Sequence, residues 1–195
     1  MLKNSTASIL SISIILCVVY ALWIAPLNPA QIANLKIIDS FFYLSSKFNP
    51  LPKAGQNIVL IAVDDDSLRE VDIRWPWPRS VMADIIKKVS ANNPAAICVD
   101  FVFAGKSVNP EEDSVLIDSL KEAKNVYAAA FFGSDGKYVI PDESLALGLK
   151  DFGFVNKPRD IDNTIRRMRP YFLSQSGDII DYSLSLKVAG SIMNS

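Results

Sequence analysis

Apolar and polar positions fall in distinct blocks along the chain. The first block runs ASILSISIILCVVYALWIA from Ala7 to Ala25, and no charge occurs between Lys3 and Lys36. Its 19 residues, rising about 1.5 Å each as a helix, come close to the ~30 Å hydrocarbon thickness of a bilayer. Tyr20 and Trp23 stand at the far end, where aromatic rings favour the lipid–water boundary. Lys3 and the terminal amine stand at the near end, which the positive-inside tendency keeps cytoplasmic. A cleaved signal segment is the rival reading; the run is long for one, and no small-x-small site follows it. Pro26 and Pro29 then break or kink the helix. A second helical stretch, about Ala30 to Phe48, carries Leu35, Ile38, Phe41 and Phe42 on one stripe, expected to dock on the following domain.

Beyond Asn57 the pattern changes. IVLIAVD, Ile58 to Asp64, is an apolar, largely β-branched run ending in an acid, of the kind a strand covered on both faces shows. Asp64-Asp65-Asp66-Ser67 starts a short helix, and the loop Arg74-Trp75-Pro76-Trp77-Pro78-Arg79 is held extended by its prolines. Ser80 reads as the cap of a helix with the stripe Val81, Met82, Ile85, Ile86 and Val89. Ala95 to Phe103 reads as a second buried strand. Asn109-Pro110-Glu111-Glu112-Asp113 is a helix start with a cap, a proline at the first position and acids in the first turn. Val126 to Phe132 is a third strand. A short helix after Pro141-Asp142, strands at Gly153 to Asn156 and Ile165 to Ser174, and a last helix from about Tyr182 to Met193 follow. Strands alternating with helices predict an α/β fold of three layers: a mainly parallel sheet with helices on both faces, plus the N-terminal transmembrane helix. Residues 1–29 are the cytoplasmic tip and anchor; residues 30–195 are one extracytoplasmic domain. Asp64 to Asp66 and the loop after Phe103 are expected on the edge where open α/β sheets bind ligands.

Composition narrows the function. Lysine and arginine total 20 against 21 acids, a near balance that argues against nucleic acid as a partner. The chain has no histidine, which removes Ser-His-Asp and Cys-His nucleophile systems and histidine-held metals. Two cysteines, Cys17 and Cys98, lie in separate apolar runs and suggest no disulfide; Cys98 reads as a small core residue.

Asp64, Asp65, Asp66 and Asp100 are candidates for a carboxylate cluster at adjacent strand ends, of the type hard cations seek. Capping of the next helix with Ser67, or an ion pair with Arg79, is the simpler use of one of them. Arg74 and Arg79 flank Trp75 and Trp77, an arrangement suited to an anionic or aromatic ligand. The competing reading is a structural wedge, with Arg79 bridging Asp64 or Asp100. Among Arg166, Arg167 and Arg169, strand alternation puts Arg166 on the face opposite the other two, and one of them could meet Asp160 or Asp162. Asn156 can tie a loop down through its amide. The ligand-binding candidates are therefore Asp64, Asp65, Trp75, Trp77, Arg79, Asp100, Asn156 and Arg166. No catalytic residue, metal or cofactor is assigned.

IVLIAVDDDSL, RWPWPRSV, AAICVDFVF, the acidic start at Asn109 to Asp113, GFVN, and then Asp160-Ile161-Asp162-Asn163-Thr164-Ile165-Arg166-Arg167 occur in that order. Together, over about residues 35 to 190, they resemble the second type of CHASE domain, the cyclase- and histidine-kinase-associated extracellular sensory domain. The resemblance implies a sensor on the outer side of the cytoplasmic membrane that feeds an output module and is not itself an enzyme. The expected function is detection of a small molecule or protein partner and relay of that event inward by a population shift, which a homodimer would ease. The alternative is an extracytoplasmic metal-dependent hydrolase using Asp64 and Asp100. The further spans and output module of such sensors do not precede Ser195, so the chain is expected to be either a fragment or a stand-alone member.

Overall fold

The computed structural model describes residues 12–21, 29–49 and 57–194. Residues 12–21 are helical and form the middle of the expected span. The rest of that span, with Lys3, Trp23 and the break at Pro26, lies outside the described residues. Among the described residues no helix is long and apolar enough to cross a membrane. Two compact units divide the chain: Met1–Ala62 with Arg159–Thr164, and Val63–Pro158 with Ile165–Ser195.

In the first unit, α1 (Pro29–Phe48) begins with a proline in its first turn, where the missing N–H costs nothing. Its stripe is less used than expected. Leu35 is buried and Ile38 half-buried, but Phe41 and Phe42 are exposed. Residues 58–64 correct the sequence reading more sharply. They carry no ladder, and Leu60 is 88% exposed. β-Branched side chains favour extended backbone, but a strand exists only where a neighbour takes its hydrogen bonds. The loop 159–164 closes on itself: the Asp160 N–H donates to the Thr164 carbonyl at 3.0 Å, and Asp162 Oδ1 accepts from the Thr164 N–H at 3.1 Å. Asn163 turns the chain there at φ +65°.

The second unit holds the sheet. Its elements are α2 (Asp65–Glu70), α3 (Arg79–Ser90), β1 (Ile97–Val99), α4 (Pro110–Ala123), β2 (Val126–Phe132), β3 (Tyr138–Val139), α5 (Glu143–Ala146), β4 (Asp151–Phe154), β5 (Tyr171–Leu173), β6 (Ile179–Tyr182) and α6 (Leu184–Met193). β2 is central and covers the expected third strand end to end. It pairs in parallel with β1 from Ile97↔Val126 to Val99↔Ala128, and with β4 from Tyr127↔Asp151 to Ala130↔Phe154. β3 adds an antiparallel pair at Phe131 and Phe132, while β5 and β6 form a separate hairpin.

Two cores flank this sheet. Val126 and Ala128 of β2 face Met82, Ile86, Leu116 and Leu120 of α3 and α4. Tyr127 and Ala129, one residue out of phase, face Leu184 and Val188 of α6. Helices on both faces of a parallel sheet thus form the predicted three layers, with a short β1. Beyond Val99 the expected strand continues without a ladder, and Cys98 is exposed rather than in the core. Ile97 and Val99 face the α3–α4 core, and alternation sends Cys98 to the opposite face, where it is exposed. The expected strand at 165–174 forms only as β5, which carries the hairpin with β6.

Candidate functional site

The loop before α3 and the residues after β1 meet around a cavity of about 540 Å³. The loop is rigid for local reasons. Pro76 and Pro78 fix their own φ and restrict the residues before them. Trp77 Nε1–H donates to the Ile73 carbonyl at 3.2 Å. Trp75 stands edge-on to Trp77, with centroids 5.6 Å apart and planes at 70°, and tilted at 49° to Phe101, also at 5.6 Å. Met82, Val102, Phe103 and Val108 extend this apolar wall.

The cavity's polar side is built by α4. Helix α3 starts at Arg79 behind Pro78, which offers no side-chain cap. Ser80 is therefore not the cap the sequence suggested. Its N–H and hydroxyl donate across to Glu112, at 2.6 Å and 3.1 Å. A carboxylate from a neighbouring helix thus supplies the capping that an N-terminus needs. Arg79 does not bridge Asp64 or Asp100. One guanidinium nitrogen pairs with Asp113 and the other donates to the Gly105 carbonyl at 2.6 Å. Asp113 also accepts from the Ser107 N–H, at 3.1 Å from Oδ2. The ion pair is nearly enclosed, with side chains 13% and 12% exposed. Gly105, at φ +65°, makes the turn that presents its carbonyl to Arg79.

Of the residues singled out from sequence, Trp75, Trp77 and Arg79 line this cavity. Asp64 does not; it is the N-cap of α2, in a capping box with Ser67. Its carboxyl is held below the usual carboxylate range first by the Ser67 hydroxyl and then by the Ser67 N–H. Asp65 sits in the first turn of α2, and Asp100 is exposed past β1. Among the described residues no three carboxylates or cysteines gather as a metal site, so the carboxylate pair of the hydrolase alternative has no cluster behind it. Asn156 ties a strand end: Oδ1 accepts from the Phe132 N–H at 2.7 Å, and Nδ2 donates to the Phe132 carbonyl at 2.9 Å. Arg166 is half-buried outside the cavity lining. Glu112 and Asp113 escaped the sequence reading, because acids in a first helical turn already have a local explanation in the helix dipole.

A second cluster lies among β3, β4, β6 and α6. Lys187 Nζ reaches Asp181 at 2.7 Å, Asp151 at 3.1 Å and the Phe152 carbonyl at 2.6 Å. The Tyr138 hydroxyl donates to Asp181. Phe132 stacks on Tyr138 and Phe172 beside it, at 4.2 Å and 3.8 Å. This cluster clips the hairpin and the last helix to the sheet.

An aromatic loop over a concave wall thus lies past the end of a parallel strand in an α/β unit. The chain belongs to the CHASE2 domain family, whose model matches residues 13–194. That family is one of extracellular sensory domains, as the sequence motifs implied. No curated protein and no solved structure matches the chain.

Proposed function

We propose that this chain is the sensory part of a membrane signalling protein, held at the inner membrane by Ala7 to Ala25, with its α/β domain on the extracytoplasmic side. A small molecule enters the cavity beside Trp75 and favours one arrangement of the surrounding elements. The observation that carries this reading is the cavity itself: about 540 Å³, within the range of small-molecule sites, walled by a proline-fixed tryptophan loop. Its far side is made by the N-termini of α3 and α4, which the Arg79–Asp113 and Ser80–Glu112 contacts lock together. A ligand that prefers one setting of this helix pair shifts the population of that setting, and a shift of this kind is what a sensor relays.

The test is a thermal-shift screen of extracytoplasmic metabolites on the full chain in detergent, with Trp75→Ala as control. A ligand at 100 times its Kd adds about 2.7 kcal/mol to the native state. The expected outcome is a compound that raises the melting temperature of the wild type and not of Trp75→Ala. A panel that stabilises neither protein, or both equally, would remove the cavity from the mechanism.

A further inference from the structure

The charge and ring geometry of this cavity point to a class of ligand. We propose, building on the ligand-binding reading above, that it takes a small alkylated ammonium cation, with Trp75, Trp77 and Phe101 against its alkyl groups and Glu112 as counter-charge.

Charge comes first. Arg79 is the cation in the lining, and it is neutralised by Asp113 and further held by the Gly105 carbonyl. An anionic ligand would have to break that enclosed pair. It would also face the first turn of α4, which carries Glu111, Glu112 and Asp113 behind the Asn109 cap. Glu112 differs from Asp113. Its two oxygens accept from the N–H and hydroxyl of Ser80 at the start of α3, which leaves further lone pairs, and its partners there are dipoles rather than a full cation. Asp113 stands behind the lining and pairs with Arg79, which leaves Glu112 as the lining's charged group outside that ion pair.

Ring geometry comes second. Trp75 meets its two aromatic neighbours at 70° and 49°, so the rings do not form a parallel slot for a flat guest. Non-parallel faces suit a rounded group, and the negative face of an indole attracts a cation more strongly than any other side-chain ring. The third point is the supply of polar partners. The Trp77 N–H is engaged by the Ile73 carbonyl, and the Asn109 side-chain oxygen Oδ1 by the Glu111 N–H. Most of the lining is apolar, which leaves few partners for the hydroxyls of a sugar or other polyol. A quaternary ammonium has no N–H to satisfy, and Met82 and Val108 supply apolar contact for its substituents.

The experiment titrates the full chain with choline, with tetramethylammonium, and with 3,3-dimethylbutan-1-ol, the neutral carbon isostere of choline. Tryptophan fluorescence and calorimetry report binding. Choline is expected to bind at least about tenfold more tightly than its isostere, the range of a desolvated cation–π contact with a nearby carboxylate. Glu112→Gln keeps an acceptor for Ser80 and should abolish that preference, while Trp75→Ala weakens both ligands. The wild-type comparison stands even if a variant fails to fold. Equal binding of choline and isostere, or no binding of either ammonium at millimolar concentration, overturns the cation assignment. If the isostere or another metabolite still stabilises the wild type and not Trp75→Ala, the cavity remains a ligand site and only the cation class falls. If nothing does, the cavity falls as a ligand site as well.

Discussion

Two adjacent acids in the first turn of α4 do different work away from their own helix. Asp113 closes an ion pair with Arg79, and Glu112 caps α3 through Ser80. Their residue type was legible in the sequence as a favourable helix start, and Asn109 does cap α4 by accepting from the Glu111 N–H at 3.1 Å. Their partners, some 30 positions upstream, were not legible, because nothing local marks which acid of three will turn toward another helix. The same holds for Lys187, a residue of α6 that gathers Asp181 and Asp151. Lys187 and Asp181 are 17% and 11% exposed, so removing the cation strands a shielded carboxylate. Lys187→Met is expected to cost about 3 kcal/mol in urea unfolding; a loss under about 1 kcal/mol would show the cluster to be solvated. The cluster also sets an alkaline limit. Burial and then Asp181 raise the Tyr138 pKa strongly. Burial works against the Lys187 charge, but its hydrogen bonds to Asp181 and Asp151 outweigh it and raise that pKa too. Both folded values lie above unfolded values of about 10, so their stabilisation is complete below about pH 10 and is lost as pH rises through the folded pKa values. Urea midpoints between neutral pH and pH 11 should therefore fall more steeply in the wild type than in a Tyr138→Phe, Lys187→Met double variant.

At the scale of elements, close approach of backbones decides what side-chain patterns cannot. β4 lies against the start of α6 at Gly153, where an added Cβ would stand 2.7 Å from the Leu184 nitrogen and 2.9 Å from the Tyr182 carbonyl oxygen. Backbone atoms cannot swing aside as a flexible side chain can. Gly153→Ala is expected to lower stability by about 2 kcal/mol, the scale of overpacking in a filled site, and chemical denaturation reads this directly. An unchanged midpoint would mean that β4 and α6 can separate freely. The GFVN motif gave no reason for its glycine; the reason is a helix start on the opposite layer. The strand predictions divide on a related ground. β2 was legible to the residue because β1, β4 and β3 between them pair along its length. Residues 58–64 have the more strongly β-branched composition and no ladder at all. Strand propensity describes one chain, whereas a strand is a relation between two.

At the scale of the molecule, the three layers fix which residues can be reached from solvent, and Cys98 serves as a probe. It points outward from β1 and is exposed. In a Cys17→Ser background, a membrane-impermeant maleimide applied to intact spheroplasts should label Cys98 if the domain lies outside the membrane. Labelling only after lysis would place the domain in the cytoplasm and end the sensor reading. The order of elements, the alternation that sends Val126 and Ala128 to one face and Tyr127 and Ala129 to the other, and the family motifs were all determined by the sequence. These depend on spacing along one chain, and spacing is what a sequence records. Tertiary structure decided that Arg79 belongs to Asp113, that Glu112 stands in for a missing cap, and that the tryptophan loop borders a cavity rather than a carboxylate cluster. Those outcomes depend on which distant surfaces share a layer. Charge pairing acts through space over a few ångströms, whatever the number of residues between the partners.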